Sequence, residues 1–219
     1  MFPYQQTRGI TLFELIIAVA LVVIMTVAIA PPLIKNINER KVVRAQRDVQ
    51  TIGNAVLAFY KDTGVWPIQD DSDHPPELVR LVGNASLGGG NKGLPDGNNN
   101  RSDNWKDRGR VGSLTKQLIL NESEDGSIKP LYRTSSNPQR QKGWNGPYIK
   151  EVPLDPWGNP YAVNIHYTRI DHPNYSRHNV IVLSAGPNQV FETSFADNEY
   201  HEAFGEDDIG YIIRGANEQ

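Results

Sequence analysis

Residues 10–30 are apolar at every position except Thr11, Glu14 and Thr26. At about 1.5 Å rise per residue, a helix over this run is about 30 Å long, enough to cross a bilayer core. The pattern then changes from a solid block to a stripe. Val42, Ala45, Val49, Ile52, Val56 and Phe59 recur at alternating spacings of three and four, which predicts an amphipathic continuation of the helix. Asn36, Glu39, Arg40, Arg44, Arg47 and Asp48 fall mostly off that stripe. Gly64 and Pro67 mark its C-terminal stop. Pro31-Pro32 are expected to bend or loosen the rod rather than end it, since the periodicity resumes beyond them.

The body after the helix is patterned differently. Tyr161, Val163, Ile165 and Tyr167 alternate with other residues at period two and predict a strand. Residues 179–184 (NVIVLS) predict a second, and residues 189–192 and 209–213 further short ones. Short links between sequential strands favour an antiparallel sheet. Residues 76–81 read as a short amphipathic helical turn, residues 114–120 as a brief helix or strand, and residues 122–126 as a turn. Residues 83–110 are dominated by Gly, Asn, Asp, Ser and Arg and read as a surface loop or partly disordered insert.

Composition narrows the classes. The 219 residues contain no cysteine, which excludes disulfide staples and thiolate metal sites. With the apolar run set aside, enough chain remains for one well-buried domain. Net charge is −3, which argues against nucleic acid as the main partner. A lone acid, Glu14, sits inside the apolar run, where a carboxylate costs about 2.5–3.5 kcal/mol on insertion scales and calls for a partner. The residues alone leave three readings of this segment. One is a secretory signal peptide cut after Ala28-Ile29-Ala30, with Pro31 unfavourable just beyond the cut. The second is an ordinary signal anchor. The third treats Glu14 as functional, against the bland reading of an acid that snorkels to the interface.

Gly9-Ile10-Thr11-Leu12-Phe13-Glu14, followed by the apolar run, resembles the type III signal of type IV pilins and pseudopilins. The resemblance implies cleavage after Gly9 by a prepilin peptidase, methylation of the new N-terminus at Ile10, and retention of the apolar helix. Glu14 would then pair with the N-terminal amine of a neighbouring subunit and set axial register, a pairing that suits charges in a low-dielectric medium. Ile10 departs slightly from the commoner Phe or Met at that position. The basic residues that follow the helix (Lys35, Arg40, Lys41, Arg44 and Arg47, against Arg8 before it) run against this topology, because positive-inside counting places the body in the cytoplasm. The family places it outside.

Two later stretches resemble the major (G-type) pseudopilin of type II secretion. One is Gly64-Val65-Trp66-Pro67 with Leu78 and Leu81 beyond it. The other is Gly143-Trp144-Asn145-Gly146-Pro147-Tyr148-Ile149 followed by Asp155-Pro156-Trp157-Gly158-Asn159-Pro160-Tyr161. Read from the residues, the second block is turn chemistry: Pro156, Gly158 and Pro160 force a compact loop, and Trp144, Trp157, Tyr148 and Tyr161 plug it against the sheet. A ligand site for a sugar or peptide is the alternative.

Candidate chemistry is sparse. There is no Gly-x-Ser-x-Gly, phosphate loop or His-Glu-x-x-His. His74, His166, His172, His178 and His201 read as surface or sheet-edge residues, and no Asp/Glu pair stands out as an acid–base couple. Asp96-x-Asn98-x-Asn100 starts like an EF-hand loop, but Arg101 replaces the required glycine and Asp107 the terminal glutamate. Ser184-Ala185-Gly186-Pro187-Asn188 and Glu206-Asp207-Asp208-Ile209 resemble the family's C-terminal calcium loop. That resemblance implies Ca2+ held by Asn188 and Asp208, with Glu192 and Asp207 as weaker candidates. The alternative is a plain acidic loop that caps the sheet.

The expectation is an α+β, type IV pilin-like fold. Residues 1–9 form a leader, 10–34 a transmembrane and filament-core helix, 35–64 its amphipathic continuation, and 65–219 a globular domain with the insert near 83–110. The resemblance implies a non-enzymatic structural subunit of a type II secretion pseudopilus. It would be single-pass in the inner membrane with its C-terminal domain in the periplasm, and would assemble into a periplasmic filament that pushes proteins through an outer-membrane secretin. Its partners would be copies of itself, minor pseudopilins, the prepilin peptidase and the inner-membrane platform protein. A type IV pilin or minor pilin for adhesion, motility or DNA uptake, and a membrane-anchored binding module, are the alternatives.

Overall fold

The computed structural model describes residues 9–70, 78–83, 94–97, 105, 109–124, 130–135, 142–175, 177–196 and 204–216, with the side chains of residues 28–34 and 96–97 outside the description. Residues 1–8 of the expected leader, His74, His201 and most of the EF-hand-like run lie outside the described residues. The chain divides into two compact units, Met1–Arg40 and Lys41–Gln219.

Helix α1 (Leu12–Thr63) is 52 residues long. Thr11 starts it, accepting the Glu14 N–H on Oγ1 at 3.2 Å, so one of the orphan first-turn donors is satisfied and an acid sits at the positive end of the helix dipole. In the first unit the side chains of Leu12, Phe13, Ile16, Leu21 and Val27 are all exposed. Among the described residues no helix is long and apolar enough to cross a membrane. The expected span over residues 10–34 runs on through residues 28–34, whose side chains lie outside the description.

In the second unit the three–four stripe is the buried face of α1. Ala45, Val49, Ile52, Val56 and Phe59 are buried, and Val42 is half-buried. Burying a Val, Ile or Phe side chain stabilises by about 1.5–3 kcal/mol. Gly53 sits on the same face, where a Cβ would lie 2.4 Å from the Tyr211 ring, so its absence lets helix and sheet approach closely. The helix ends at Gly64, whose φ of +76° suits glycine and whose N–H returns to the Tyr60 carbonyl at 2.8 Å.

Five strands form the main sheet: β1 (Leu78–Val82), β3 (Arg110–Ser113), β4 (Ala162–Val163), β5 (Val180–Ser184) and β7 (Ile209–Arg214), in the order β3-β1-β4-β5-β7. The expected all-antiparallel sheet is corrected to a mixed one. The β1–β4, β4–β5 and β5–β7 pairs are antiparallel, and β1 pairs with β3 in parallel. The long stretch between β1 and β3 permits the crossover that a parallel pair requires. The predicted helical turn at 76–81 is strand β1, because Leu78, Leu81 and Val82 are all buried, as on a strand covered on both faces.

Two more expectations change. The predicted strand over 161–167 is only Ala162–Val163, followed by a 3₁₀ turn, Ile165–Thr168. Asn164 marks the stop: its side chain accepts the Ile181 N–H at 2.6 Å and donates to the Asn179 and Phe195 carbonyls, while its own N–H still reaches the Ile181 carbonyl at 3.3 Å. The insert also contributes to the core. Leu94 and Trp105 are buried, and a second small sheet pairs β2 (Asp96–Gly97) with β6 (Val190–Phe191) in parallel. Residues 116–120 form one π-helical turn, Lys116–Leu120.

Candidate functional site: a carboxylate clasp and an acidic loop

The turn block at 155–161 is organised by one carboxylate. Asp155 is buried, and its Oδ1 accepts the backbone N–H groups of Trp157 at 3.0 Å and Asn159 at 2.8 Å. Its Oδ2 accepts the Ser184 hydroxyl at 2.7 Å, which ties the loop to the end of β5. The Asp155 N–H donates to the Asn159 carbonyl at 2.8 Å, and Gly158 supplies the φ of +96° that closes the turn. Tyr161 is wholly buried and its hydroxyl donates to Asp48 Oδ2 on α1 at 2.9 Å. Burial, with the Asp48 carboxylate beside it, pushes the Tyr161 phenol up. Arg44 completes the seam, 3.5 Å from Asp48 and donating to the Leu154 carbonyl at 3.4 Å.

The aromatic residues expected to act together divide. Trp157 and Tyr161 belong with Asp155, whereas Trp144 packs edge-on to Tyr148 at 5.8 Å and Tyr148 packs edge-on to Phe59 near the end of α1. The Trp144 backbone is held by the Arg133 carbonyl at 2.7 Å. Trp144 is thus a second plug, away from the Asp155 clasp.

The acidic loop brings together the four residues expected to hold calcium. Asp208 is buried, and its Oδ2 accepts the N–H groups of Glu192 at 3.0 Å and Thr193 at 2.6 Å. Burial, reinforced by Glu192, pushes the Asp208 carboxyl up to about 7. Asp207 Oδ2 accepts the Asn188 N–H at 2.9 Å, and Asn188 Nδ2 donates to Glu192 Oε1 at 2.5 Å. Gly186 backs onto this loop at φ +60°, where a Cβ would lie 2.1 Å from the Asp207 carbonyl oxygen, so only glycine fits. Trp105, from the insert, supports the loop from behind: its indole N–H donates to the Thr193 carbonyl at 2.9 Å, and its ring meets Phe191 and Phe195.

Three carboxylate oxygens of this loop, Glu192 Oε2, Asp207 Oδ1 and Asp208 Oδ1, are buried and accept no hydrogen bond among the described residues. Such orphaned oxygens are costly, and an all-oxygen donor set is what a hard divalent cation takes. Among the described residues no three His, Cys, Asp or Glu side chains stand as a ready-made ligand set. The Asn188 amide and the backbone N–H groups hold the other oxygens of the loop.

The remaining candidates are more dispersed. Gly9 and Ile10 lie exposed ahead of α1, and Glu14 is exposed in its first turn. His166, His172 and His178 converge around Tyr167 rather than lying apart: the His166 and His172 rings are 4.2 Å apart, and the His178 ring is 4.5 Å from Tyr167. Sequence reasoning missed Asp48, Asn164 and Trp105. Asp48 and Asn164 each carry a faint signal, an acid beside the apolar stripe and a lone amide inside an apolar run. Trp105 carries none, set among Asn, Asp, Lys and Arg.

The combination of an N-terminal helix packed on a mixed five-stranded sheet, with a turn-rich clasp and a C-terminal acidic loop, is consistent with a pilin-like fold. Residues 122–195 match the family described as type II secretion system (T2SS), protein G, which supports a G-type pseudopilin. The matched stretch contains the whole Asp155 clasp, β4–β6 and Glu192 of the acidic loop. No curated protein and no solved structure matches the chain.

Proposed function

We propose that this protein is a structural subunit of a type II secretion pseudopilus. The match over residues 122–195 carries this reading, since it falls on the clasp that fastens the sheet to α1. The matched family is a structural component of the secretion system, which supports a role in shape and register rather than catalysis. In this reading a prepilin peptidase cuts after Gly9 and Ile10 becomes the methylated N-terminus. The apolar run holds the chain in the inner membrane, with the body in the periplasm. Glu14 pairs with the amine of a neighbouring Ile10 as the subunit enters the filament. Minor pseudopilins and the membrane platform protein are its further partners, and the growing filament pushes cargo through an outer-membrane secretin. The exposed apolar side chains of Leu12–Val27 support this reading, because a face of that kind needs lipid or other subunits to cover it.

The test is a Glu14→Ala substitution in cells that make the filament. Filaments disappear while the folded subunit remains in the membrane; filaments of normal number with Glu14→Ala overturn the register role.

Calcium binding at the acidic loop is part of the same proposal. Asn188 and Asp208 would hold the ion, with Glu192 and Asp207 as weaker candidates, and the buried oxygens of Asp208, Glu192 and Asp207 without a hydrogen bond among the described residues support this reading. Bound calcium supplies charge neutralisation there, which lets a buried Asp208 remain ionised. Isothermal titration of the full chain in detergent reads this directly; absence of heat with calcium removes the ion from the proposal.

A further inference from the structure

An open cavity of about 610 Å³ lies between α1 and β7, lined by Gln46 and Gln50 of the helix and by Phe204, Glu206, Tyr211 and Ile212 on the sheet side. Among the described residues β7 is the outermost strand on this side of the sheet, and no strand pairs with its outer edge there. The apolar part of its floor is formed by partly buried Phe204, Tyr211 and Ile212, packed against the core. The rim carries one exposed acid, Glu206.

A surface of opposite character lies earlier on α1. Ile37 is 48% exposed, a large apolar side chain with cations at its next helical neighbours, Arg40 and Lys41. Arg44, one turn on, is already committed to Asp48 and the Leu154 carbonyl. Lys35 pairs with Glu39 only at 3.9 Å, with both side chains well exposed. Among the described residues neither Arg40 nor Lys41 takes part in an ion pair. These are also the basic residues that ran against the expected topology, and the filament reading leaves them without a role.

We propose that the groove between α1 and β7 receives the Ile37–Lys41 segment of α1 from a second copy of this chain. Ile37 enters the apolar floor, and Arg40 and Lys41 meet the acidic rim at Glu206. Charge complementarity selects this occupant: each copy carries one acid-rimmed apolar groove and one apolar anchor flanked by cations. Donor and acceptor are different patches, so the contact is head-to-tail, the kind of interface from which an open filament can be built. With parallel helices, seating Arg40 beside Gln46 and Gln50 shifts successive copies by about 9–15 Å along the axis, at about 1.5 Å per residue.

This inference rests on the filament reading, and the test separates the two. The chain contains no cysteine, so introduced thiols report without background. Full-length Arg40→Cys and Glu206→Cys chains are co-produced in filament-forming cells and oxidised. The expected result is a covalent dimer present only when both variants are together, and a ladder of multimers from the double variant. Filaments that form without the dimer overturn the groove contact and leave the filament reading standing. Absence of filaments from the unmodified chain overturns the filament reading and the contact with it. A charge exchange gives a second readout that does not depend on thiols. Arg40→Glu lowers filament yield about tenfold, the effect of about 1.4 kcal/mol, and adding Glu206→Lys restores it. Failure of the exchange to restore yield, with both chains folded, counts against the contact.

Discussion

The Asp155 clasp and the acidic loop are built from the same materials: a buried aspartate, backbone N–H donors and a tight turn closed by glycine. They differ in how they use the carboxylate. In the clasp both oxygens of Asp155 are taken, by two backbone N–H groups and one hydroxyl. In the loop one oxygen of Asp208 is held the same way, while its other oxygen and one each from Glu192 and Asp207 accept nothing among the described residues. A closed arrangement of the first kind fastens a fold. An arrangement of the second kind keeps acceptor capacity in reserve, at a cost that burial makes visible in the raised Asp208 carboxyl.

The largest expected effect comes from removing the support that holds the loop in this condition. Trp105→Ala leaves a cavity against Phe191 and Phe195 and frees the Thr193 carbonyl, so urea unfolding of the full chain should show a loss of about 3–5 kcal/mol. A loss near zero shows that the insert does not support the loop. Asp155→Ala strands three donors of the clasp and should cost about 3 kcal/mol in the same assay. If it costs no more than a surface substitution, the clasp is not a fastening.

Calcium sharpens the contrast from the other side. At a hundredfold excess over its dissociation constant it should add about 2.7 kcal/mol to stability, a gain that Glu192→Gln and Asp208→Asn reduce and Asp155→Ala leaves in place. The smallest effect concerns Glu124, a half-buried acid, which accepts the Ser113 N–H at 2.8 Å and lies 3.6 Å from Lys116. Burial raises its carboxyl above the ordinary range. The folded state therefore keeps this proton to higher pH than the unfolded chain does. Its contribution is complete below the ordinary carboxylate range and fades as pH rises through the raised value. Glu124→Gln should flatten that part of the stability–pH curve, and an unchanged slope contradicts the assignment.

How much of this was legible in the chain follows from the range of each interaction. The buried face of α1 is written in the three–four spacing from Val42 to Phe59, because a helix repeats locally. The clasp is legible for the same reason, since Asp155, Gly158 and Asn159 bond within one turn. Its anchoring to Asp48 and Ser184 is not, because those residues are brought to it only by the folded sheet and helix. Trp144 shares a motif with Trp157 but packs elsewhere, and shared vocabulary in the sequence does not imply contact in space. The parallel pairing of β1 with β3 depends on a crossover that period-two alternation does not record. Trp105 and Leu94 are single apolar residues in a polar stretch, too isolated to announce that they join the core. The acidic loop was readable only by resemblance, because Asn188, Glu192 and Asp208 lie on two separate turns.

The central claim is that the apolar N-terminal segment is an assembly device retained in the mature subunit. Intact-mass and N-terminal peptide analysis of the protein from its native membrane tests it most directly. The account predicts a mature chain that starts at Ile10 with one added methyl group. A chain that starts at Pro31, or that keeps Met1 to Gly9, contradicts it.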